Sequence, residues 1–212
     1  MRRLLTLVLL IALAPAAAHA QKRGDKELTG QVGWMWGGTQ DYSSVYLAYP
    51  AGTVHANANT TYGGALTYYP YDYLGYEIAY NYQHTDLLIR PQGLPASKLA
   101  DLTTQYFQIN GLKMKPLSPK ADGYLLGGLG TTIYSASGYT SQWLFSIGAG
   151  VGARVHLNSR TSLRLQSRIL IPMRFNYGSF YFGSNGSGVS VSGGTAIVQG
   201  EATAGISILL GG

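Results

Sequence analysis

The chain has 212 residues, a net charge of +6 and no cysteine; 46% of its residues are hydrophobic, 11% are charged, and 17 are tyrosine. The missing cysteines exclude a disulfide framework and a thiolate metal site. The arginines alternate with apolar residues and form no exposed basic run, which argues against a nucleic-acid partner.

The first twenty residues read as an export signal. Arg2 and Arg3 form a positive start, Leu4 to Ala14 an apolar stretch, and Ala18-His19-Ala20 a small-residue cleavage site. The domain division is therefore residues 1–20 as a cleaved signal and 21–212 as one β-barrel domain. Losing Arg2 and Arg3 takes the mature charge from +6 to +4. Past Gln21 there is no run of 18 apolar residues, so a helical membrane protein is not expected.

Residues 21–27 are polar and read as a frayed end. A first strand starts at Leu28, with Leu28, Val32, Trp34 and Trp36 on one face and Thr29, Gln31, Gly33 and Met35 on the other. Residues 38–60 read as a long loop in which Val45–Tyr49 could extend a hairpin. A second strand covers 61–69, with Tyr62, Leu66 and Tyr68 opposite Thr61, Gly63, Ala65 and Thr67. Pro70 to Tyr73 make a tight turn. In the third strand, 74–84, Leu74, Tyr76, Ile78, Tyr80 and Tyr82 alternate with Gly75, Glu77, Ala79, Asn81 and Gln83. A loop with Pro91 and Pro95 is expected over 85–101.

The fourth strand, 103–113, points Phe107 and Ile109 one way and Gln108 and Asn110 the other. A turn with Pro116 and Pro119 follows over 113–123. The fifth strand, 124–134, is glycine-rich and its facing is ambiguous. The sixth, 143–157, sets Trp143, Phe145, Ile147, Ala149, Val151, Ala153 and Val155 against Ser146, Gly148, Gly150, Gly152, Arg154 and His156. After a short turn the seventh strand divides most sharply. Leu163, Leu165, Ile169, Ile171, Met173, Phe175 and Tyr177 share one face, and Ser162, Arg164, Gln166, Arg168, Arg174 and Asn176 the other. Residues 178–194 read as a last long loop. The eighth strand, 195–210, puts Val198, Ala202, Ala204, Ile206, Ile208 and Leu210 opposite Thr195, Gln199, Glu201, Thr203, Gly205 and Ser207.

Ribbons that are aliphatic on one side and cationic on the other suit a membrane barrel, with lipid outside and a polar lumen inside. The connections alternate long and short, the rhythm of long extracellular loops and brief periplasmic turns. The expected fold is thus all-β: an eight-stranded antiparallel up-and-down transmembrane β-barrel with both termini in the periplasm. Ten strands would require Val45–Tyr49 to cross the bilayer. The competing soluble fold, a lipocalin-like barrel or sandwich, would turn the apolar faces inward. Tyr and Trp dominate the apolar face, and Gly, Ala and Ser the polar one, which disfavours it: small residues suit a narrow lumen.

Two constellations stand out. Glu77, Arg154, Arg164, Arg168, Arg174 and Glu201 all fall on inward positions. A charge in such an interior needs a partner, and Arg can grip a carboxylate bidentately. These residues could plug the lumen, while four arginines against two glutamates could instead leave a cationic pathway for anions. Trp34, Trp36, Tyr62, Tyr68, Tyr76, Tyr82, Trp143 and Tyr177 read as interfacial aromatic belts. No catalytic trio, metal cluster or cofactor motif emerges. His156, Asn158 and Ser159 resemble the His-x-Ser-Asn signature of barrel lipid A deacylases, but in the wrong order. His55 and His84 sit at loop edges and read as solvated.

From Phe145 to Arg168, a Gly-alternating strand, a turn and Leu163-Arg164 with Arg168 resemble a pattern of small outer-membrane β-barrel domains. That family includes OmpX and the transmembrane part of OmpA-like proteins, and the closing Gly205 to Gly212 resembles its end. Members usually end on an aromatic residue, where this chain has Leu210-Gly211-Gly212, implying a weaker or differently read insertion signal. The resemblance implies an integral outer-membrane protein among outer-membrane lipid and lipopolysaccharide, inserted by the barrel-assembly machinery. Its expected role is structural or in surface interaction, without enzymatic activity and with an unknown extracellular partner. The alternatives are passage of small anionic or hydrophobic solutes and, less favoured, lipid A modification. Intact-mass measurement of the membrane-extracted protein should give a chain beginning at Gln21; a mass retaining Met1 to Ala20 would refute cleavage.

Overall fold

The computed structural model describes residues 23–42, 51–174, 177–183, 186–192 and 195–210. The export signal and Val45–Tyr49 lie outside the described residues. Among the described residues every regular element is a strand. In chain order these are β1 (Lys26–Trp36), β2 (Thr39–Tyr42), β3 (Gly52–Ala56), β4 (Asn59–Tyr71), β5 (Leu74–Pro91), β6 (Ser97–Ser118) and β7 (Ala121–Ala136). They continue with β8 (Gln142–His156), β9 (Thr161–Arg174), β10 (Tyr177–Gly183), β11 (Gly186–Ser192), β12 (Thr195–Ala196) and β13 (Gln199–Leu209).

Antiparallel pairing closes eight of them into a ring, in the order β1, β4, β5, β6, β7, β8, β9, β13 and back to β1. These are the eight strands the alternation marks out. A closed ladder leaves no open edge, which hydrocarbon demands because it offers no water to bond stray amides. The register also staggers. Partners can be followed from Lys26 through Tyr68, Tyr76, Gly111, Gly127, Ala149, Ile169 and Gly200. The path returns to β1 at Trp36, ten residues beyond its start. Strand number and stagger together set the bore, and eight strands leave one narrow enough for side chains to fill.

The three short connections, 72–73, 119–120 and 157–160, lie at one end of the ring, called here the turn end. At the opposite, hairpin end the strands run on. The loop expected over 85–101 is a paired hairpin, because β5 continues to Pro91 and β6 starts at Ser97. Likewise the turn expected over 113–123 shrinks to Pro119 and Lys120. Prolines do not break these ladders: Pro91 ends a strand, and Pro116 sits beside a register irregularity at the strand terminus. A bilayer crossing takes about 9–11 strand residues; β5, with 18, therefore reaches well beyond one. β2 and β3 pair, and β3 also docks on β5, building the wall higher. The segment expected as a loop over 178–194 contains the paired strands β10 and β11.

The large apolar side chains point away from the ring. Ile78 is 64% exposed, Ile109 61% and Leu125 61%, with Leu28, Val32, Leu66, Leu129, Val151, Ile169, Ile206 and Ile208 also exposed. The inward face is polar, interrupted by two small clusters: Tyr69, Leu112, Met114, Tyr124 and Leu126, then Met35, Tyr106 and Leu170. This division also settles the ambiguous fifth strand: Tyr124, Leu126 and Thr132 face in, Leu125 and Leu129 out. Inward glycines make room for inward rings. A Cβ on Gly152 would stand 2.2 Å from Tyr124 Cζ, and one on Gly75 2.9 Å from Tyr69. A soluble sandwich would invert the arrangement and bury the oily faces. Ile78→Arg should therefore destabilise the lipid-folded state by about 2–4 kcal/mol, as read by urea titration in vesicles; an effect below about 0.5 kcal/mol would mean that this face meets water.

Candidate functional site

The alternation that turns aliphatic residues outward forces every second residue of β8 and β9 into the lumen, arginines included. Arg154 and Arg164 are direct cross-strand partners and are 0% and 1% exposed. Like charges so placed repel unless each has its own counter-ion. They find carboxylates on different strands. Arg154 Nη2 donates to Glu27 Oε1 of β1 at 2.8 Å and to the Tyr69 hydroxyl at 2.8 Å. Arg164 spans the lumen to Glu77 of β5, while its Nε donates to the Tyr124 hydroxyl at 2.8 Å. The guanidinium carbons also lie over the two tyrosine rings, 5.7 Å from the centroid of Tyr69 and 5.0 Å from that of Tyr124.

The next layer toward the hairpin end pairs Arg168 with Glu201, its direct neighbour on β13. Each carboxylate takes further donors. Glu77 accepts from Thr67 Oγ1 and Asn110 Nδ2, both at 3.2 Å. Glu201 accepts from Asn81 Nδ2 at 2.5 Å and Thr61 Oγ1 at 3.3 Å. Arg168 Nη1 donates to Gln108 Oε1 at 3.1 Å. Such secondary bonds offset the desolvation that makes buried ion pairs costly. The side chains of Arg174 and Tyr177 lie outside the described residues.

Glu27 is the missing member of the sequence-expected set. It stands in the segment expected to fray, yet β1 begins at Lys26 and Glu27 is 1% exposed. The signal was its phase: Glu27 is two residues from the inward Thr29. With it, each described inward arginine has a glutamate, and the expected surplus of lumenal positive charge is absent among the described residues. Tyr69 and Tyr124 were missed as well, because a tyrosine near a strand end suits a belt as readily as a lumen.

At the turn end, His156 Nε2 lies 2.7 Å from Asp122 Oδ2. Asn158 Oδ1 accepts from the backbone amides of Arg160 and Thr161, at 2.9 and 2.8 Å, and so holds the turn together. At the hairpin end the lumen widens into an apolar cavity of about 420 Å³. Val54, Leu87, Leu102, Tyr134 and Ile197 are among its walls, and His55 lines it too. Tyr134 donates to Gln199 Oε1 at 2.7 Å, and both border the cavity. His84 Nδ1 lies 3.2 Å from Thr103 Oγ1 on the exposed side.

Of the expected aromatic belt, Trp34, Trp36, Tyr62, Tyr68, Tyr76 and Trp143 are exposed on the outer wall, and Tyr82 is half-buried. Tyr68 pairs with Tyr76 toward the turn end and Tyr62 with Tyr82 toward the hairpin end. Trp36 lies over Gly200, where an added Cβ would stand 2.2 Å from the ring.

A closed ring with an aliphatic, aromatic-edged exterior and an ion-paired interior defines a transmembrane β-barrel. The chain belongs to the outer membrane protein beta-barrel domain family, whose model matches residues 4–192. It is accordingly an outer-membrane protein in contact with outer-membrane lipid. Similar solved structures include the outer membrane protein OprG from Pseudomonas aeruginosa, at 14% identity over 91% of this chain and 99% of that one, with a TM-score of 0.64. AlkL in lipid bilayers matches at 11% identity over 92% and 94%, TM-score 0.54. Neisserial surface protein A matches at 13% identity over 85% and 96%, TM-score 0.51. At these identities the likeness is one of fold. No curated protein sequence matches the chain.

Removing one partner of a buried pair strands the other charge. Arg164→Ala should cost about 3–5 kcal/mol of stability, whereas the double change Arg164→Met with Glu77→Leu should recover most of it. Urea melts of the two variants in detergent decide this, and equal losses would refute a paired role.

Proposed function

We propose that the protein is a non-enzymatic barrel whose lumen is closed by its Arg–Glu pairs, with a structural or surface-interaction role. In this reading the termini and short turns face the periplasm and the long hairpins face outward. One observation carries it: Arg154, Arg164 and Arg168 each hold a glutamate within the bore, so no described lumenal arginine is left to attract a passing anion. The non-enzymatic reading draws on the residues that prompted the question: among the described residues His156 has Asp122 as its side-chain partner and no hydroxyl nucleophile bonded to it, and Asn158 is engaged by its own turn. Purified protein in planar bilayers should pass no steady current, and Arg164→Ala with Arg168→Ala should admit one. Sustained anion-selective current from the unaltered protein would overturn the closed lumen.

A second reading, capture or passage of small apolar solutes, is favoured by the cavity at the hairpin end. Its size and aliphatic lining suit a small apolar molecule, since ligand pockets typically run to ~300–1,000 Å³ with few polar groups. A solute entering there meets Met35, Tyr106, Leu170 and then the ion pairs, so onward movement would run through the wall and not down the axis. An apolar fluorescent dye should bind to the unaltered protein and not to Ala56→Trp, which fills the cavity. Equal binding by both would remove this reading.

A further inference from the structure

The outer wall is chemically lopsided at the turn end. On β1 and β6 the outward positions there are Lys26, Lys113 and Lys115, all exposed. Between them, on β4 and β5, stand the exposed Tyr68 and Tyr76. The register makes this one band: Lys26 is opposite Tyr68, Tyr68 opposite Tyr76, and Tyr76 opposite Gly111, two residues before Lys113. Diagonal neighbours at that offset lie about 7–8 Å apart, within reach of long side chains. The other half of the rim is different. Outward positions near the turn end of β7, β8, β9 and β13 are Leu125, Val155, Leu163, Ile206 and Ile208.

Among the described residues no carboxylate pairs with Lys26, Lys113 or Lys115. At the hairpin end, by contrast, Lys98 is held by Asp86 at 2.7 Å and Asp101 at 2.8 Å. Three ammonium groups on a lipid-facing wall, uncompensated by the protein, need a counter-charge from what surrounds them. The surroundings at that depth are headgroups, and tyrosine hydroxyls add hydrogen-bond donors at the same level. The wall just above is recessed. An added Cβ at Gly111 or Gly127 would meet nothing closer than a carbonyl oxygen at 3.9 Å. Exposed Ile109, Leu129 and Leu125 flank that recess, which leaves room for an acyl chain.

We infer that the β1–β4–β5–β6 face at the turn end is a binding surface for an anionic glycerophospholipid. Its phosphate sits against Lys113 and Lys115 beside the Tyr76 hydroxyl, and Lys26 extends the positive field across Tyr68. The inference rests on the orientation proposed above only for which leaflet supplies the lipid.

The test is native mass spectrometry of the full protein released from nanodiscs of equal phosphatidylglycerol and phosphatidylcholine. The unaltered protein should retain phosphatidylglycerol preferentially. Lys113→Gln with Lys115→Gln should lower that retention about tenfold, Lys113→Arg with Lys115→Arg should keep it, and Arg160→Gln, in the β8–β9 turn on the other half of the same rim, should change it less than twofold. Urea melts confirm that the variants fold. Equal retention of both lipids, or loss in the Arg160 variant alone, would overturn the inference. Orientation is read separately, by labelling a cysteine placed at Lys120 in intact cells. Labelling from outside would refute the periplasmic assignment while leaving the in vitro lipid preference as it stands.

Discussion

Two guanidinium groups side by side on adjacent strands set the terms for the rest of the lumen. Arg154 and Arg164 share a cross-strand position and point the same way, into a bore too narrow for bulk water. Each must be neutralised by a group from elsewhere on the ring. Glu27 answers from β1 and Glu77 from β5, so the pairs run across the interior in different directions. Tyr69 and Tyr124 then fill the space beside them, and Gly75 and Gly152 are small because those rings occupy the room a Cβ would need. Charge, ring and glycine form one packing unit.

The same closure explains the exterior. A ring with every amide bonded to a neighbour can sit in hydrocarbon, and its outward row is then free to be aliphatic. The oily faces that would be a core in a soluble sheet are here the surface. The apolar residues left inside gather in two small groups: Leu112, Met114 and Leu126 beside Tyr69 and Tyr124 toward the turn end, and Met35, Tyr106 and Leu170 on the hairpin side of the ion pairs. Stability therefore rests on the ladder and on satisfied polar contacts more than on an enclosed oily centre.

Much of this was legible because a period of two survives wherever lipid lies on one side and a lumen on the other. The seventh and eighth expected strands carry that pattern most clearly, despite an outward Ser167 and an inward Leu170, and Arg164, Arg168 and Glu201 could be placed from it. The pattern loses contrast where the outside is no longer lipid. Beyond His84 the outward positions of β5 turn polar, at Asp86 and Arg90, so a continuing strand read as a loop. Glu27 was hidden for a related reason: the polar residues before it conceal a strand that starts two residues earlier than its first outward leucine. The apolar cavity draws Val54 from β3, Leu102 from β6 and Ile197 from the link between β12 and β13, and no local spacing announces such a meeting.

The ion pairs also specify something that the hydrophobic pattern cannot. Sliding a strand by one residue would turn its oily face into the lumen, so alternation alone forbids that error. A slip of two residues preserves every inward and outward assignment and costs the lipid face little. In the lumen it is not neutral. Moving β9 by two against β13 would take Arg168 from opposite Glu201 and bring Gln166 or Leu170 there instead, leaving a carboxylate buried without its cation. The corresponding slip against β8 would separate Arg164 from the level of Glu77 and Tyr124. Because removing one member of a buried pair is far more costly than replacing both, the three Arg–Glu contacts penalise the even-numbered slips that the lipid face would tolerate. The ten-residue stagger of this ring is thus held by charge placed where lipid cannot discriminate.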